Sequence, residues 1–509
     1  MTEDGGKNWR RIDKVAGVPD GTYVERLLAS QHDANVVYAL FDNHKNADFA
    51  PYLMKSLDRG VTWTPLASDL PKNGPVLSIA EDHVNPDLLF LGTEFGLYYT
   101  TTGGKKWLRL RGGLPTIPVK DLVIQKREND LVVGTFGRGI YILDDYSALR
   151  APTPALQEKE AALLPVKPAL AYIQTQGGTG AQGENYYTAP NPPYGATFTY
   201  LLKEGVKTLK QKRQEAEQAA ERKGEAPPFP TVEELRAEAA EDPPAILLTV
   251  TDPAGSVVRR LTGPAGAGTQ HVVWDLRGTG FAAPAPPAEG APIGGGGRGG
   301  GRGGGGGGGF QAMPGEYRVA LARRVGGVVT ELVPPQPFTV REDGEIDLKP
   351  AERKTLLDYR QKVSRLQRAV LGSIEVVDSL TARLTQIRFA VQDAPKATPK
   401  LREEVLTLER RLKEIDTALR GDNAAALRGD PVPTTITRRV SDLTFSQLSS
   451  PLPPTRTRQD SYTVAAVEFG EALAKLRALV QTDVPKLEKS LDRADVAHTP
   501  GRLPDWKEP

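Results

Sequence analysis

The sequence has no cysteine among its 509 residues. Structural disulfides, thiolate metal sites and cysteine nucleophiles are therefore excluded, while the compartment is left open. Histidine is also scarce, with five residues and no short ligand spacing between any two of them, so neither a metal nor another cofactor is predicted. No apolar run is long enough to span a membrane. The first residues lack the basic and apolar regions of a secretory signal, so no signal peptide is predicted in this chain.

A strong charge of one sign is absent too. Lys and Arg total 65 and Asp and Glu total 63, a net charge of +2, which argues against a nucleic-acid partner. No P-loop, G-x-S-x-G, H-E-x-x-H or dinucleotide fingerprint occurs, which argues against the corresponding enzyme classes. What is abundant is Gly (52) and Pro (42), and the chain is long enough for three or four domains of ~150 residues. A turn-rich, multidomain protein is predicted.

An eight-residue motif recurs along the first part of the chain. Its frame is Ser/Thr-x-Asp-x-Gly-x-x-Trp, found at residues 2–9 and 56–63 and, with Thr102 in place of Asp, at residues 100–107. The tryptophans are 54 and 44 residues apart, which suits a four-stranded propeller blade. A short Asp side chain can accept backbone N–H groups in a tight turn, and Gly supplies a positive φ. The motif residues are Thr2, Asp4, Gly6, Trp9, Ser56, Asp58, Gly60, Trp63, Thr100, Gly104 and Trp107.

The repeat predicts an incomplete β-propeller over residues 1–148. Residues 9–14 are expected to form a lone outer strand, followed by blades over about 20–68, 74–111 and 117–145, the third without an outer strand. About three blades cannot close a ring, which typically needs at least four. Apolar faces should therefore be exposed at the ends of the arc, and residues 1–148 are interpreted as the C-terminal blades of a propeller whose other blades are missing.

These motifs carry a resemblance. The octet resembles the Asp-box, or BNR repeat, of sialidase-like and sortilin-type (Vps10) propellers. Together with GTEFGLY and GTFGRGIYILDD, it is similar to the bacterial sortilin-related proteins labelled glycosyl hydrolases. The resemblance implies that the Asp-box residues are structural, that the full-length protein is extracytoplasmic (periplasmic or secreted), and that it could be a glycoside hydrolase.

The middle of the chain has a different β pattern. A Pro-punctuated linker is expected over residues 149–190, followed by short strands with turn signals over 191–345, which favour an immunoglobulin-like β-sandwich. The D-P-A-G, W-D-L-R and P-G-E-Y series is similar to the module of the flagellar hook-capping (FlgD-like) proteins. Two insertions are expected in it, a charged helical insert at 203–241 and a Gly-rich loop at 284–311 that is interpreted as flexible rather than RNA-binding.

The C-terminal part has a helical period. Apolar residues recur every three or four positions from about residue 351, Pro395 and Pro399 break the pattern, and a Pro-rich excursion is expected at about 431–456. A three-helix bundle is predicted over 350–495, with a tail at 496–509, and an oligomerising coiled coil is the less favoured interpretation.

Candidate functional residues lie in the loops that join the inner strands of each predicted blade. They are Asp42, His44 and Asp48 in the first blade, Glu94 in the second and Arg138 in the third. Glu94, Asp42 and Asp48 are the catalytic candidates, because two carboxylates at a suitable separation can serve as acid and base in glycoside hydrolysis. His44 and Arg138 are the substrate-binding candidates. The competing interpretation, that all five are solvated loop residues, is favoured for each of them.

Two functions follow. The first is a glycan- or peptide-binding scaffold module that is not catalytically complete alone, and it is preferred because neither a sialidase arginine triad nor a second catalytic lobe is found. The second is part of an extracytoplasmic glycoside hydrolase whose remaining catalytic residues lie in missing N-terminal blades. The expected partners are a carbohydrate or peptide ligand and the missing blades of the full-length protein.

Overall fold

The computed structural model describes residues 1–67, 69–151, 156, 158–172, 191–227, 229–282, 309–342, 348–448, 450 and 452–504. Sheets dominate up to residue 342 and helices follow, so the prediction of a mainly β protein with a helical C-terminal part is confirmed. Of the predicted Gly-rich loop at 284–311, residues 284–308 lie outside the described residues, and so do the last five residues of the predicted tail.

The strands of the described chain are β1 (Tyr23–Ala29), β2 (Val37–Asp42), β3 (Tyr52–Ser56), β4 (Thr64–Pro65), β5 (Val76–Glu81), β6 (Leu89–Thr93), β7 (Gly96–Thr100), β8 (Leu108–Leu110), β9 (Val119–Gln125), β10 (Asp130–Thr135), β11 (Ile140–Leu143), β12 (Ala161–Leu163), β13 (Ala169–Ala171), β14 (Ala196–Leu202), β15 (Ala245–Thr251), β16 (Val257–Gly263), β17 (Gly268–Trp274), β18 (Gly315–Val325) and β19 (Val328–Glu342). The helices are α1 (Leu209–Arg222), α2 (Val232–Ala240), α3 (Pro350–Asp393), α4 (Pro399–Arg420), α5 (Asn423–Arg428), α6 (Ile436–Leu448), α7 (Arg456–Ala478) and α8 (Val484–Arg493).

Residues 23–143 form three antiparallel meanders. Strands β1–β4 form sheet 1, β5–β8 form sheet 2, and β9–β11 form sheet 3, which has three strands. The register shifts near the start of the first strand in sheets 1 and 2, between Val24 and Arg26 and between Val76 and Ser78. Each shift is a bulge that bends the strand and increases its twist. Residues 9–14 do not form the expected outer strand, because nothing in the described chain pairs with them as a ladder.

The three sheets stack face to face with β1, β5 and β9 side by side. One core lies between sheets 1 and 2 and includes Tyr38, Leu53 and Ile79, and a second lies between sheets 2 and 3 and includes Phe90 and Leu122. Sheet 2 is therefore buried on both faces, and every residue of β5 and β6 is buried, including the polar Ser78 and Glu81.

A buried carboxylate ties sheet 2 to the turn that follows sheet 3. Asp82, fully buried after β5, accepts hydrogen bonds from the Arg150 guanidinium at 2.8 and 2.7 Å and from the Tyr146 hydroxyl at 2.6 Å. Burial opposes ionisation, but these hydrogen bonds outweigh it and lower the pKa of Asp82 to about 2. The neighbouring Glu81 accepts from the hydroxyl of Ser30, the residue that follows β1 of sheet 1, at 2.9 Å. Adjacent carboxylates thus join all three sheets.

Two further sheets share one core. A three-stranded sheet has the order β12-β14-β17 and a five-stranded sheet has the order β13-β19-β18-β15-β16. Phe198 and Trp274 from the first sheet pack with Val319 and Phe338 from the second. The predicted linker at 149–190 is corrected in part, because β12 and β13 lie within it and pair with β14 and β19. The sequence pattern did not indicate these two strands, because a segment of three Ala and Leu residues is too short to show the alternation of apolar and polar residues that is typical of a strand.

The charged insert at 203–241 contains two helices. Thr208 and Thr231 cap α1 and α2 through capping boxes, and Arg213 of α1 pairs with Glu238 of α2 at 2.6 Å. Neither helix has a buried residue, so hydrogen bonds and charge pairs rather than packing hold this hairpin.

The C-terminal helices pack around one apolar core. Leucines and valines at steps of three and four on α3 and α4 face each other, as the periodicity predicts. The expectation of three helices is wrong, because the described residues of this part form six helices, α3 to α8. The Pro-rich stretch contains α6, which contributes Ile436 and Val440 to the core. The prolines flank α6 instead of interrupting it. A π-helical turn, Leu479–Asp483, joins α7 to α8.

One buried arginine joins the helices to the segment between β17 and β18. Arg360 of α3 donates to the backbone oxygens of Gln311 at 3.0 Å and Ser450 at 3.2 Å. Burial, with a smaller effect of the Arg277 charge, lowers the pKa of Arg360 to about 10, so the side chain stays charged at neutral pH.

Replacing Asp82 by Asn should lower the free energy of unfolding by about 3 kcal/mol, because it leaves the Arg150 guanidinium buried without its counter-charge. Urea unfolding followed by tryptophan fluorescence measures this, since Trp107 lies in the core between sheets 1 and 2. The control is Asp358→Asn, which breaks an exposed pair with Lys354 and should cost less than ~0.5 kcal/mol. Equal losses in both variants would contradict the structural role of Asp82.

The stability difference between the native protein and the Asp82→Asn variant should depend on pH. The pKa of Asp82 is lower in the folded protein, about 2, than its ordinary value of 3.8. The contribution of this carboxylate is therefore complete above about pH 4 and is lost as the pH falls toward about 2. Urea midpoints of both proteins across this range should converge at the acid end, and a constant difference would contradict the assignment.

Candidate functional site

The loops between the second and third strands of sheets 1, 2 and 3 lie at one end of the stack. They are residues 43–51, 94–95 and 136–139, and we call them the loop edge. Hydrogen bonds link the first two loops to one connecting segment, since Gly74 N–H donates to the Phe49 carbonyl at 2.9 Å and Glu94 N–H donates to the Pro75 carbonyl at 3.1 Å. These two hydrogen bonds hold the first and second loops against the segment that leads into sheet 2.

Within the first loop, Asp42 and His44 are in direct contact. Asp42 is buried at the end of β2 and accepts from the backbone N–H of His44 at 3.0 Å, and the two side chains meet at 2.5 Å between Nδ1 and a carboxylate oxygen. The contact orients the exposed imidazole, which begins a single 3-10 turn, His44–Asn46.

Asp48 belongs to a second network in the same loop. Its carboxylate accepts from the Tyr52 hydroxyl at 2.6 Å, the Asn43 side chain at 2.9 Å and the backbone N–H of Ala50 at 3.1 Å. The hydrogen bond from Tyr52 is the largest cause that lowers the pKa of Asp48, and the bonds from Asn43 and Ala50 add to it. The same Tyr52–Asp48 hydrogen bond raises the pKa of Tyr52 to about 12. Asp48 is therefore ionised and pre-oriented, and it is unsuited to donate a proton as a general acid.

Glu94 and Arg138 lie in the second and third loops. Glu94 is half-buried and Arg138 is exposed. Within the described chain, no hydrogen bond or ion pair joins either side chain to Asp42, His44 or Asp48. The structure thus brings the three residues of the first loop into two adjoining networks and leaves the other two candidates on separate loops of the same edge.

Sequence reasoning missed one feature of the loop edge, its exposed aromatic rings. Phe49, Phe95 and Phe136 each lie in a different loop, and about half or more of each side chain surface is exposed. Aromatic rings exposed on the same edge as oriented polar groups form a candidate ligand-binding surface. The repeated phenylalanines of GTEFG and GTFGRG could have revealed two of them.

The octets lie at the opposite edge, because β3 and β7 run from the loops to the octet turns. In the second octet, Ser56 accepts from Gly60 N–H at 2.7 Å, and Asp58 accepts from Thr62 N–H at 2.8 Å. Hydrogen bonds from the Thr62 side chain and backbone and from Ser56 lower the pKa of Asp58 to about 2.

The first and third octets repeat this geometry. Asp4 accepts from Asn8 N–H at 2.9 Å. This hydrogen bond, together with those from the side chains of Asn8 and Thr2, lowers the pKa of Asp4 to about 2. In the third octet the Thr102 hydroxyl takes the place of the carboxylate and accepts from Lys106 N–H at 3.1 Å. The tryptophans differ, since Trp107 is buried between sheets 1 and 2 whereas Trp9 is mostly exposed.

No known protein-family profile matches the chain, and no curated protein matches it. Similar solved structures include the GH74 enzyme of Niastella koreensis, with 25% identity over 24% of this chain and 21% of that one and a TM-score of 0.21. An ancestral GH74 enzyme has 17% identity over 25% and 19% of the two chains and a TM-score of 0.22. YCF48 from Cyanidioschyzon merolae has 14% identity over 38% and 54%, with a TM-score of 0.18. The matched part spans about a fifth of each GH74 enzyme.

In the described residues, no helix is both long enough and apolar enough to cross a bilayer.

Thr102→Asp should stabilise the third octet, because a carboxylate accepts more strongly and at more positions than the hydroxyl that now binds Lys106 N–H. We expect the free energy of unfolding to rise by about 0.5–1 kcal/mol in urea titrations. Thr101→Asp, which adds the same charge one position earlier, is the matched control and should not stabilise. If both variants behave alike, the position of the octet carboxylate does not matter.

Proposed function

We propose that the loop edge binds a carbohydrate and that the chain is a binding module rather than a complete enzyme. The observation that carries this proposal is the combination of three exposed phenylalanines with oriented polar groups on adjoining loops. The apolar C–H face of a sugar ring can pack on an aromatic ring, while carboxylates such as Asp48 accept hydrogen bonds from its hydroxyls. A peptide is the other ligand class that this edge could hold, and the binding experiment separates the two.

Hydrolysis of a glycoside is the second candidate function, and it rests on the carboxylates of the same edge. Asp42, Asp48 and Glu94 would have to include a general acid and a base or nucleophile. The lowered pKa of Asp48 fits a base or nucleophile and not the acid. We therefore place binding ahead of turnover, since the acid would have to be Asp42, Glu94 or a residue in another part of the propeller.

The remaining assignments belong to the same proposal. We infer that sheets 1–3 are C-terminal blades of an Asp-box propeller over residues 1–148 that further sheets complete, and that the full-length protein works outside the cytoplasm. Residues 191–345 are proposed as an immunoglobulin-like sandwich and 350–495 as a helical support. The octet hydrogen bonds and the stacked meanders support the first of these assignments.

Phe95→Ala should weaken binding of an oligosaccharide identified on a glycan array by about tenfold, because it removes a contact worth roughly 1.4 kcal/mol. Isothermal titration of the full chain measures the loss. Phe229→Ala is the control, since Phe229 is almost fully exposed in the insert between α1 and α2 and should not affect binding. Binding of peptides and no glycan would favour the peptide alternative.

Sugar release measured on the same oligosaccharide tests the hydrolase alternative. The binding module should release none, with or without Glu94→Gln. Release that Glu94→Gln abolishes would show an enzyme and contradict the preferred proposal.

A further inference from the structure

A cavity lies among the C-terminal helices, in a part of the chain that the proposed carbohydrate site does not use. It opens between the end of α4, the segment 421–435 that leads into α6, and the middle of α7, and its volume is about 370 Å³. Its floor is apolar, since Ile415, Ile436 and Ala472 line it and are exposed by only 3%, 3% and 5%. These side chains also belong to the helical core. The cavity therefore has the size and the apolar floor of a site for a small molecule.

The wall formed by segment 421–435 is held at both of its ends. Gly421 has a φ of +98° and donates its N–H to the Thr417 carbonyl at 2.8 Å, where α4 ends. A Cβ atom on Gly421 would lie 3.0 Å from Cγ2 of Thr435, so the two ends of the segment are in close contact. Thr435 in turn accepts from the backbone N–H of Arg438 at 3.1 Å, in the first turn of α6. The fixed ends favour a pre-formed cavity rather than one that a ligand must open.

The rim of the cavity carries an excess of negative charge. Two of its carboxylates have partners in the protein, because Asp422 accepts from the backbone N–H of Ala424 at 2.9 Å and Glu468 pairs with Arg439 at 3.3 Å. Four carboxylates and one ammonium group line the cavity in all, and they belong to Glu414, Asp422, Glu468, Glu471 and Lys475.

The other two carboxylates of the rim are available to a cation. Glu414 lies on α4 and Glu471 lies on α7, so they reach the cavity from two different helices. Both are exposed, and neither side chain forms an ion pair or hydrogen bond with another described residue. A cation in the cavity is attracted from both sides, whereas an anion is repelled.

We propose that this cavity binds a small aliphatic amine, with its alkyl chain on the apolar floor and its ammonium groups at Glu414 and Glu471. Burial of methylene groups on the floor favours an alkyl chain over a hydrated metal ion. The carboxylates favour a cation over a neutral or anionic molecule of the same shape. Among the described residues, no group of three or more His, Asp or Glu side chains is arranged to hold a metal ion, which also favours an organic cation.

Saturation-transfer NMR of the full chain tests the proposal, with the five-carbon diamine cadaverine as the probe. In phosphate buffer at neutral pH and low salt, we expect saturable binding with a dissociation constant of about 1 mM. Pentylamine, which has one ammonium group, should bind about fivefold more weakly, and pentanol, which has none, should not bind measurably. Raising the NaCl concentration to about 0.5 M should weaken binding of the diamine, because salt screens charges at an exposed rim.

Variants locate the binding at this cavity. Glu471→Gln removes one of the two available carboxylates and should weaken binding of cadaverine about fivefold. Ala418→Phe, at an exposed position of α4 that lines the cavity, should fill it and abolish binding without changing any charge. Glu375→Gln is the matched control, since it removes an exposed carboxylate of α3 that does not line the cavity, and it should bind like the native chain. Far-UV circular dichroism verifies that each variant is folded.

Four results would overturn the inference. They are no binding of cadaverine at about 10 mM, equal binding of pentanol and cadaverine, unchanged binding by folded Ala418→Phe, and a loss in Glu375→Gln as large as in Glu471→Gln. The last would indicate unspecific attraction of the diamine to surface carboxylates. Glycan titration at the loop edge is a separate measurement, so failure of this inference and failure of the proposed function are distinguishable.

Discussion

The burial of sheet faces against neighbouring sheets is the interaction on which the N-terminal part depends. Sheet 2 has both faces covered, and its strands β5 and β6 are fully buried. Each buried apolar side chain contributes roughly 1.5–3 kcal/mol relative to exposure, so covering both faces of sheet 2 is a large favourable contribution to the stability of this part. The stacking also fixes the relative positions of the loops, since each loop joins two strands whose faces are packed.

The two edges of the stack have separate roles. β5 begins next to the loop edge, beside Pro75, and ends at Glu81 and Asp82, which tie the three sheets together. The octet turns lie at this second edge as well. The ties through Glu81 and Asp82 thus lie at the octet edge, while the loop edge has hydrogen bonds of its own and also carries the exposed rings and carboxylates.

The rest of the chain is held by different contacts. Most buried apolar residues of the described helices belong to one core, mainly Leu, Val, Ile and Ala, and the two sheets that contain β12 to β19 share another core, rich in aromatic residues. Between them lies Arg360, whose guanidinium binds backbone oxygens rather than a carboxylate in the described chain. The buried charge of Arg360 favours one arrangement of the helices relative to the sheets, because an arrangement without these backbone acceptors would leave the guanidinium buried and without hydrogen-bond partners.

The sequence by itself determined the repeat, the octet turns, the helical periodicity and the order of β before α, because each depends on neighbours within a few residues. The loop candidates Asp42, His44 and Asp48 were also predictable, since loop position follows from strand spacing. Only the tertiary structure decided that Asp82 meets Arg150, that β12 and β13 join a sheet, and that Phe49 and Phe95 lie at a common edge. These facts join residues far apart in sequence, and local pattern carries no information about which distant strand or side chain completes a contact.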